Sequence, residues 1–379
     1  MGNTKQRQSN IELFRIITMI LIIMHHYVVN SGLISPESPV FKDGFSFKPI
    51  LFLIAGGWGK IGINCFVLIT GYFMCKSNIT LKKFCKLFFE VMFYRIIIYS
   101  AFLIAGEAEF SFVKIVKNLV PIISIGQNFT GCFLMFFLCI PFLNTLISSI
   151  DEKKHIYLLV LLLFIYTFFE TVPYFSIKMN YVSWFSVLYL IAAYIRIYPK
   201  KIYFNAKIWR IISGFSIAVS VASIVMCYYI FLKTGKNIIY YFVTDSNTFL
   251  ALVCGVSFFM LAVNTSIKQS KFINNVAATS FGVLLIHANS DVMRKWLWTD
   301  TLQNVRAYCS DYAFLHILLS VICVFICCST IDTVRIKFIE KPFFKLFDKF
   351  ELKLVSKYIK IERNIGKMIN NLLAGGENI

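Results

Sequence analysis

Ten apolar stretches, most of them about as long as a bilayer is thick, dominate this sequence. They fall roughly at residues 11–29, 50–70, 84–105, 129–149, 156–170, 182–198, 208–231, 247–263, 276–294 and 312–336. A hydrocarbon layer offers the backbone no hydrogen-bond partner, so such stretches cross it as α-helices of about 20 residues. Composition agrees: 58% of the 379 residues are hydrophobic and 15% are charged, whereas soluble domains carry about 25% charged residues. The expected fold is all-α, a polytopic integral membrane protein with about ten transmembrane helices over residues 1–336.

The first stretch is read as a retained helix rather than a cleaved signal peptide. It carries Arg15, His25 and His26, and no A-x-A-like site follows it. Lys and Arg are shared unevenly between alternate connections. The N-terminus and every second connection hold 15 in 58 positions, the remaining connections hold 10 in 88, and the tail beyond residue 334 adds 10. Because basic residues collect on the cytoplasmic side, both termini are expected in the cytoplasm and the chain in the cell membrane. The same asymmetry accounts for the net charge of +19. Basic loops and tails meet anionic lipid, so the bilayer is the expected partner and nucleic acid is not. Residues 337–379 interleave aromatic and aliphatic side chains with lysines at helical spacing, which predicts a cytoplasmic basic amphipathic tail. Eleven cysteines are scattered, most within apolar runs and without metal-ligand spacing, so neither a disulfide framework nor a metal site is expected.

Ionisable residues at membrane depth are costly and mark interior sites. "SNIELFRIITMILIIMHHY" holds Arg15, His25 and His26, besides Glu12 at its start. Ser9 to Glu12 fits a capping box, so the helix is expected to start there. Eleven residues separate Arg15 from His26, about 20° past three full turns, which puts both on one face roughly 16 Å apart along the axis. His25 points about 80° away from Arg15. A shared groove is expected, with Arg15 near its cytoplasmic end and His26 in its outer half.

A second buried histidine stands in "TSFGVLLIHANSDVMRKWLW". Read as one helix, this segment puts Asp291 one turn beyond His287, within reach to hydrogen-bond the imidazole and set its tautomer. Lys82, Lys83 and Lys86 sit at the inner mouth of the third span, as solvated lysines or as point charges for phosphates. Glu90 and Arg95 lie deeper, where each is expected to pair with the other or with another helix. "GKIGINCFVLITGYFM" has small residues suited to close helix packing rather than a phosphate loop.

The first helix resembles that of the membrane-bound acyltransferase family 3, whose signature is Arg, ten residues, then His. The resemblance continues in order through "FVLITGYFM", "FLCIPFLN", "VLYLIAAYIRIYP", "FGVLLIHANSDVMRKWLW" and "FIEKPFF". It departs at Leu284, where the family has Tyr, and at Lys83 and Lys86, where many members have an R-x-x-R pair. It departs too at the sixth-helix glycine, replaced by Ala192 or Ala193. No extracytoplasmic esterase-like domain is visible, so a stand-alone form is expected.

The resemblance implies an O-acetyltransferase of the cell envelope. Acetyl-CoA, or another acyl-CoA, would serve as donor, and a cell-surface polysaccharide or lipid-linked saccharide as acceptor, with no metal. It implies His26 as the catalytic histidine and matches His287 to a second family histidine. From the residues themselves, His26 is expected to act as base or nucleophile, with His287, oriented by Asp291, assisting. Arg15, Lys83 and Lys86 would hold the CoA side of the donor. The rival reading is a transporter or flippase of lipid-linked saccharides, which would also have many helices and buried charge. The internal repeats or paired broken helices common in transporters are not visible.

Overall fold

Every regular element described in the computed structural model, which covers residues 7–124, 129–172 and 180–349, is a helix. The main ones are α1 (Ser9–Val29), α2 (Phe47–Gly56), α3 (Gly59–Met74), α4 (Leu81–Ile104), α5 (Phe112–Leu119), α6 (Phe129–Ser149) and α7 (Glu152–Leu163). They continue with α8 (Tyr181–Ile197), α9 (Ala206–Thr234), α10 (Phe249–Val263), α11 (Lys271–Ala278), α12 (Ser280–His287), α13 (Asp291–Lys295) and α14 (Ala313–Arg335).

A helix answers each of the ten apolar stretches, but not all have the same length. Among the described residues, seven helices are long and apolar enough to cross a membrane. A further apolar segment is bent: α11 and α12 run to His287, and the chain from Asp291 leaves at 96°. α8 and α10 are shorter apolar helices. Phe215 and Ile211 of α9, and Leu318 and Leu319 of α14, stand exposed. A multi-pass membrane protein turns such faces to lipid, since the helical backbone behind them is already hydrogen-bonded.

α1 begins at Ser9, as expected, but no capping box forms. Ser9 Oγ instead donates to Asn274 Oδ1 (3.0 Å) and accepts from the Ser270 amide (2.9 Å). Glu12 turns to Arg15, its oxygen 3.3 Å from Nε. Ser9 and Glu12 are both buried, so tertiary neighbours took the groups that a solvent-exposed helix start would have paired locally.

α3 is the packing axis, against α1, α8 and α10. Its small residues serve the close approach expected of them. A methyl group at Gly71 would stand 2.9 Å from Ala192 Cβ and 3.0 Å from Tyr189 Cα. The resembling motifs meet at this end. Arg196 donates to the Tyr72 hydroxyl (2.7 Å), and the Tyr189 hydroxyl donates to Asn144 Oδ1 (2.6 Å). Asn144 Nδ2 in turn reaches the Met74 carbonyl near the end of α3 (3.3 Å). Deeper in the core, Asn64 donates to the Ser246 and Ala251 carbonyls and accepts from Trp184 Nε1. Every polar atom of that buried amide is used.

The chain divides into two compact units, residues 1–329 and 330–379. In the second, Arg335 donates to Asp332 and to Glu340 of the "FIEKPFF" motif, each at 2.6 Å, and all three side chains are at most 3% exposed. The amphipathic tail expected over 337–379 lies outside the described residues from residue 350 onward.

Candidate active site

His26 stands one turn from the end of α1, and His287 is the last residue of α12. The two helices bring the rings together, His26 Nδ1 lying 2.9 Å from His287 Nε2 with centroids 5.1 Å apart. His287 is fully buried and its Nδ1 is 2.6 Å from the Val283 carbonyl. Behind it, the buried Trp298 indole packs edge-on at 6.3 Å. His25, on its own side of α1, bonds the Gly56 carbonyl (2.5 Å). A methyl group at Gly59 would collide with the His25 ring, so glycine lets α3 start against it.

Tautomers follow from these contacts. A carbonyl oxygen only accepts, so His287 Nδ1 carries the hydrogen and donates to Val283. The neutral His287 Nε2 is then an acceptor, and His26 Nδ1 must be the donor to it. That leaves the lone pair of His26 on Nε2. One helix carbonyl thereby fixes the protonation pattern of both rings.

A cavity of about 870 Å³ opens beside them, lined by His25, His26, Lys60, Arg95, Asp291 and Arg294 among others. A second cavity of about 100 Å³ lies at the other end of α1, lined by Arg7, Glu12, Arg15, Phe66, Ala277, Ala278 and Phe281. The single groove expected between Arg15 and His26 is therefore corrected to two spaces with Phe66 lining both. The Arg15 guanidinium lies 5.4 Å from the centre of the Phe66 ring, which packs against Phe133 and Phe281. Phe66, with those rings packed on it, thus stands at both spaces.

Two further expectations are corrected. Asp291 does not orient His287, because the segment is two helices and not one. Asn289 Nδ2 bonds the Leu285 carbonyl at the end of α12 (2.9 Å), and Ser290 Oγ caps α13 by accepting from the Met293 amide (3.2 Å). Asp291 then occupies the first turn of α13, largely exposed and paired with Arg294 (2.8 Å). A serine cap followed by an acid in the first turn is a helix-start signal. It was present in "ANSD" and was overridden by the apolar run.

Lys83 and Lys86 do not join Arg15 in a basic mouth. Lys83 donates to Ser77 Oγ (2.8 Å) and the Asn78 carbonyl (2.7 Å), tying down the turn before α4. Both lysines are exposed and outside the described lining of the Arg15 cavity. Arg95 donates to the Lys117 carbonyl (3.2 Å) and to Thr130 Oγ1 (2.9 Å). Its role in shaping the large cavity, with Lys60, was not legible in the sequence, where each was one basic residue in or beside an apolar run.

The half-buried His26 against the fully buried His287, beside a cavity with polar lining, is an arrangement that can exchange a proton with a polar substrate. The model of the acyltransferase domain, family 3, matches residues 8–332, and the chain belongs to that family of membrane acyltransferases. No curated protein and no solved structure gives a match.

Proposed function

We propose that this protein is a membrane O-acyltransferase. It moves an acetyl or other acyl group from cytoplasmic acyl-CoA to a hydroxyl of a cell-surface or lipid-linked polysaccharide, with His26 as general base. The observation that carries this reading is the His26–His287 contact, which leaves a lone pair on His26 Nε2 beside the large cavity.

The acceptor hydroxyl gives its proton to His26 Nε2 as its oxygen attacks the thioester carbonyl. Positive charge on the His26 ring is shared through Nδ1 with His287. When the tetrahedral intermediate collapses, the carbon–sulfur bond breaks and the proton passes from His26 Nε2 to the departing CoA sulfur. His26 ends as it began, and the products are the ester and free CoA.

The donor is proposed to come from the Arg15 end. Arg15 offers a cation there, and roughly 16 Å of helix separates it from His26, a span suited to an elongated arm. Its Glu12 partner and the Phe66 ring mean that donor binding includes a local rearrangement. Ten crossings, counting α8, α10 and the broken α11–α12 span, with both termini cytoplasmic, put Arg15 at the inner face and His26 towards the outer one.

The test is His26→Ala in vesicles supplied with radiolabelled acetyl-CoA and cell-envelope acceptor. Label transfer is expected to disappear while acetyl-CoA binding and the thermal midpoint are retained. Full transfer by that variant would refute the mechanism. Trapping of a labelled His26 would replace the base with a nucleophile.

A further inference from the structure

The lining of the large cavity is unbalanced in charge. Among the described residues, Lys60, Arg95, Lys114, Lys117 and Arg294 contribute to it, against one carboxylate, Asp291, which pairs with Arg294. These cations come from four different elements, α3, α4, α5 and α13. α5 is short and amphipathic, and Lys114 and Lys117 are three residues apart on it, so they share a face. Arg95 fastens that helix in place through the Lys117 carbonyl. Lys60 is committed to the Tyr181 hydroxyl (2.6 Å), with Asp245 at 3.9 Å. Lys114 is exposed and Lys117 half-buried.

Cations gathered in a cleft with low-dielectric walls repel one another, and their field concentrates anions there. The cavity also lies at the end of the bundle away from Arg15, where topology disfavours basic residues. Its volume of about 870 Å³ is in the range of small-ligand sites and well beyond the needs of an acetyl group.

Resting on the proposed acyl transfer, we infer that the acceptor is an anionic saccharide. Its reactive hydroxyl meets His26 while a carboxylate or phosphate of the same molecule is held by Lys114, Lys117 and Arg294. The anion belongs either to the sugar, as a uronate, or to a lipid carrier, as a diphosphate. Both present the same oxygen acceptors to the cations.

Binding to the purified full chain in nanodiscs decides this, measured by calorimetry with three probes: trigalacturonate, its methyl ester and undecaprenyl diphosphate. At least one anionic probe is expected to bind about tenfold or more tighter than the neutral ester, and to lose about tenfold in Lys114→Gln/Lys117→Gln, as loss of charge-assisted hydrogen bonds implies. Arg294→Gln is a second, independent variant with the same expectation, and thermal midpoints check that each is folded. Preference for trigalacturonate assigns the anion to the sugar, and preference for undecaprenyl diphosphate assigns it to the carrier. Equal binding of the ester, no binding of either anion, or unchanged binding in both folded variants overturns the inference. His26→Ala is expected to bind the probe normally, so lost acyl transfer and lost anion recognition remain separate results.

Discussion

Removing the His287 ring costs more than one hydrogen bond, because Val283 fixes its tautomer and it in turn fixes that of His26. In His287→Phe, His26 Nδ1 loses its acceptor, and the ring is free to carry its hydrogen on Nε2, where it cannot act as base. Turnover is expected to fall about 10²-fold or more, within the range that general base catalysis supplies, with the apparent Michaelis constant for acetyl-CoA little changed. Asp291→Asn is expected to cost far less in the same assay, since Asp291 pairs with Arg294 and not with the imidazole. The Arg15–His26 register was legible because both residues sit on one helix, where 3.6 residues per turn fixes their relation. The His26–His287 contact was not, because it joins residues 261 positions apart.

Among the elements, α3 and the C-terminal end of α14 carry tests of their packing. A Cβ at Gly71 would already crowd Ala192 Cβ (2.9 Å) and Tyr189 Cα (3.0 Å). Gly71→Leu therefore forces α3 and α8 apart, and overpacking of that kind costs about 1–3 kcal/mol. The expected readout is a lower thermal midpoint in detergent. Arg335→Ala removes the guanidinium that bonds the buried carboxylates of Asp332 and Glu340. Breaking a buried ion pair from one side costs about 3–5 kcal/mol, so this variant is expected to accumulate poorly, with Arg335→Lys recovering part of the loss. The helices themselves could be read from apolar length. The break after His287 could not be weighed by length alone, because Asn289 and Ser290 cap two helices inside one apolar run.

At the scale of the whole molecule, the two ends of α1 open into separate spaces and Phe66 borders both. If donor and acceptor meet across that ring, Phe66→Ala joins the spaces and admits water to the thioester. Acceptor-independent hydrolysis of acetyl-CoA is expected to rise in vesicles, with transfer to acceptor reduced. Unchanged hydrolysis would place the donor path elsewhere. The sequence by itself determined the class of protein, the helical segments, the face shared by Arg15 and His26 and the family. Each of these rests on local periodicity, hydropathy or the order of motifs along the chain. Only the tertiary structure decided that His287 contacts His26, that Asp291 turns away, that Lys83 and Lys86 stand apart from Arg15, and that, among the described residues, five cations line the histidine cavity. Those relations join distant segments, and packing of whole helices sets them where no local signal reaches.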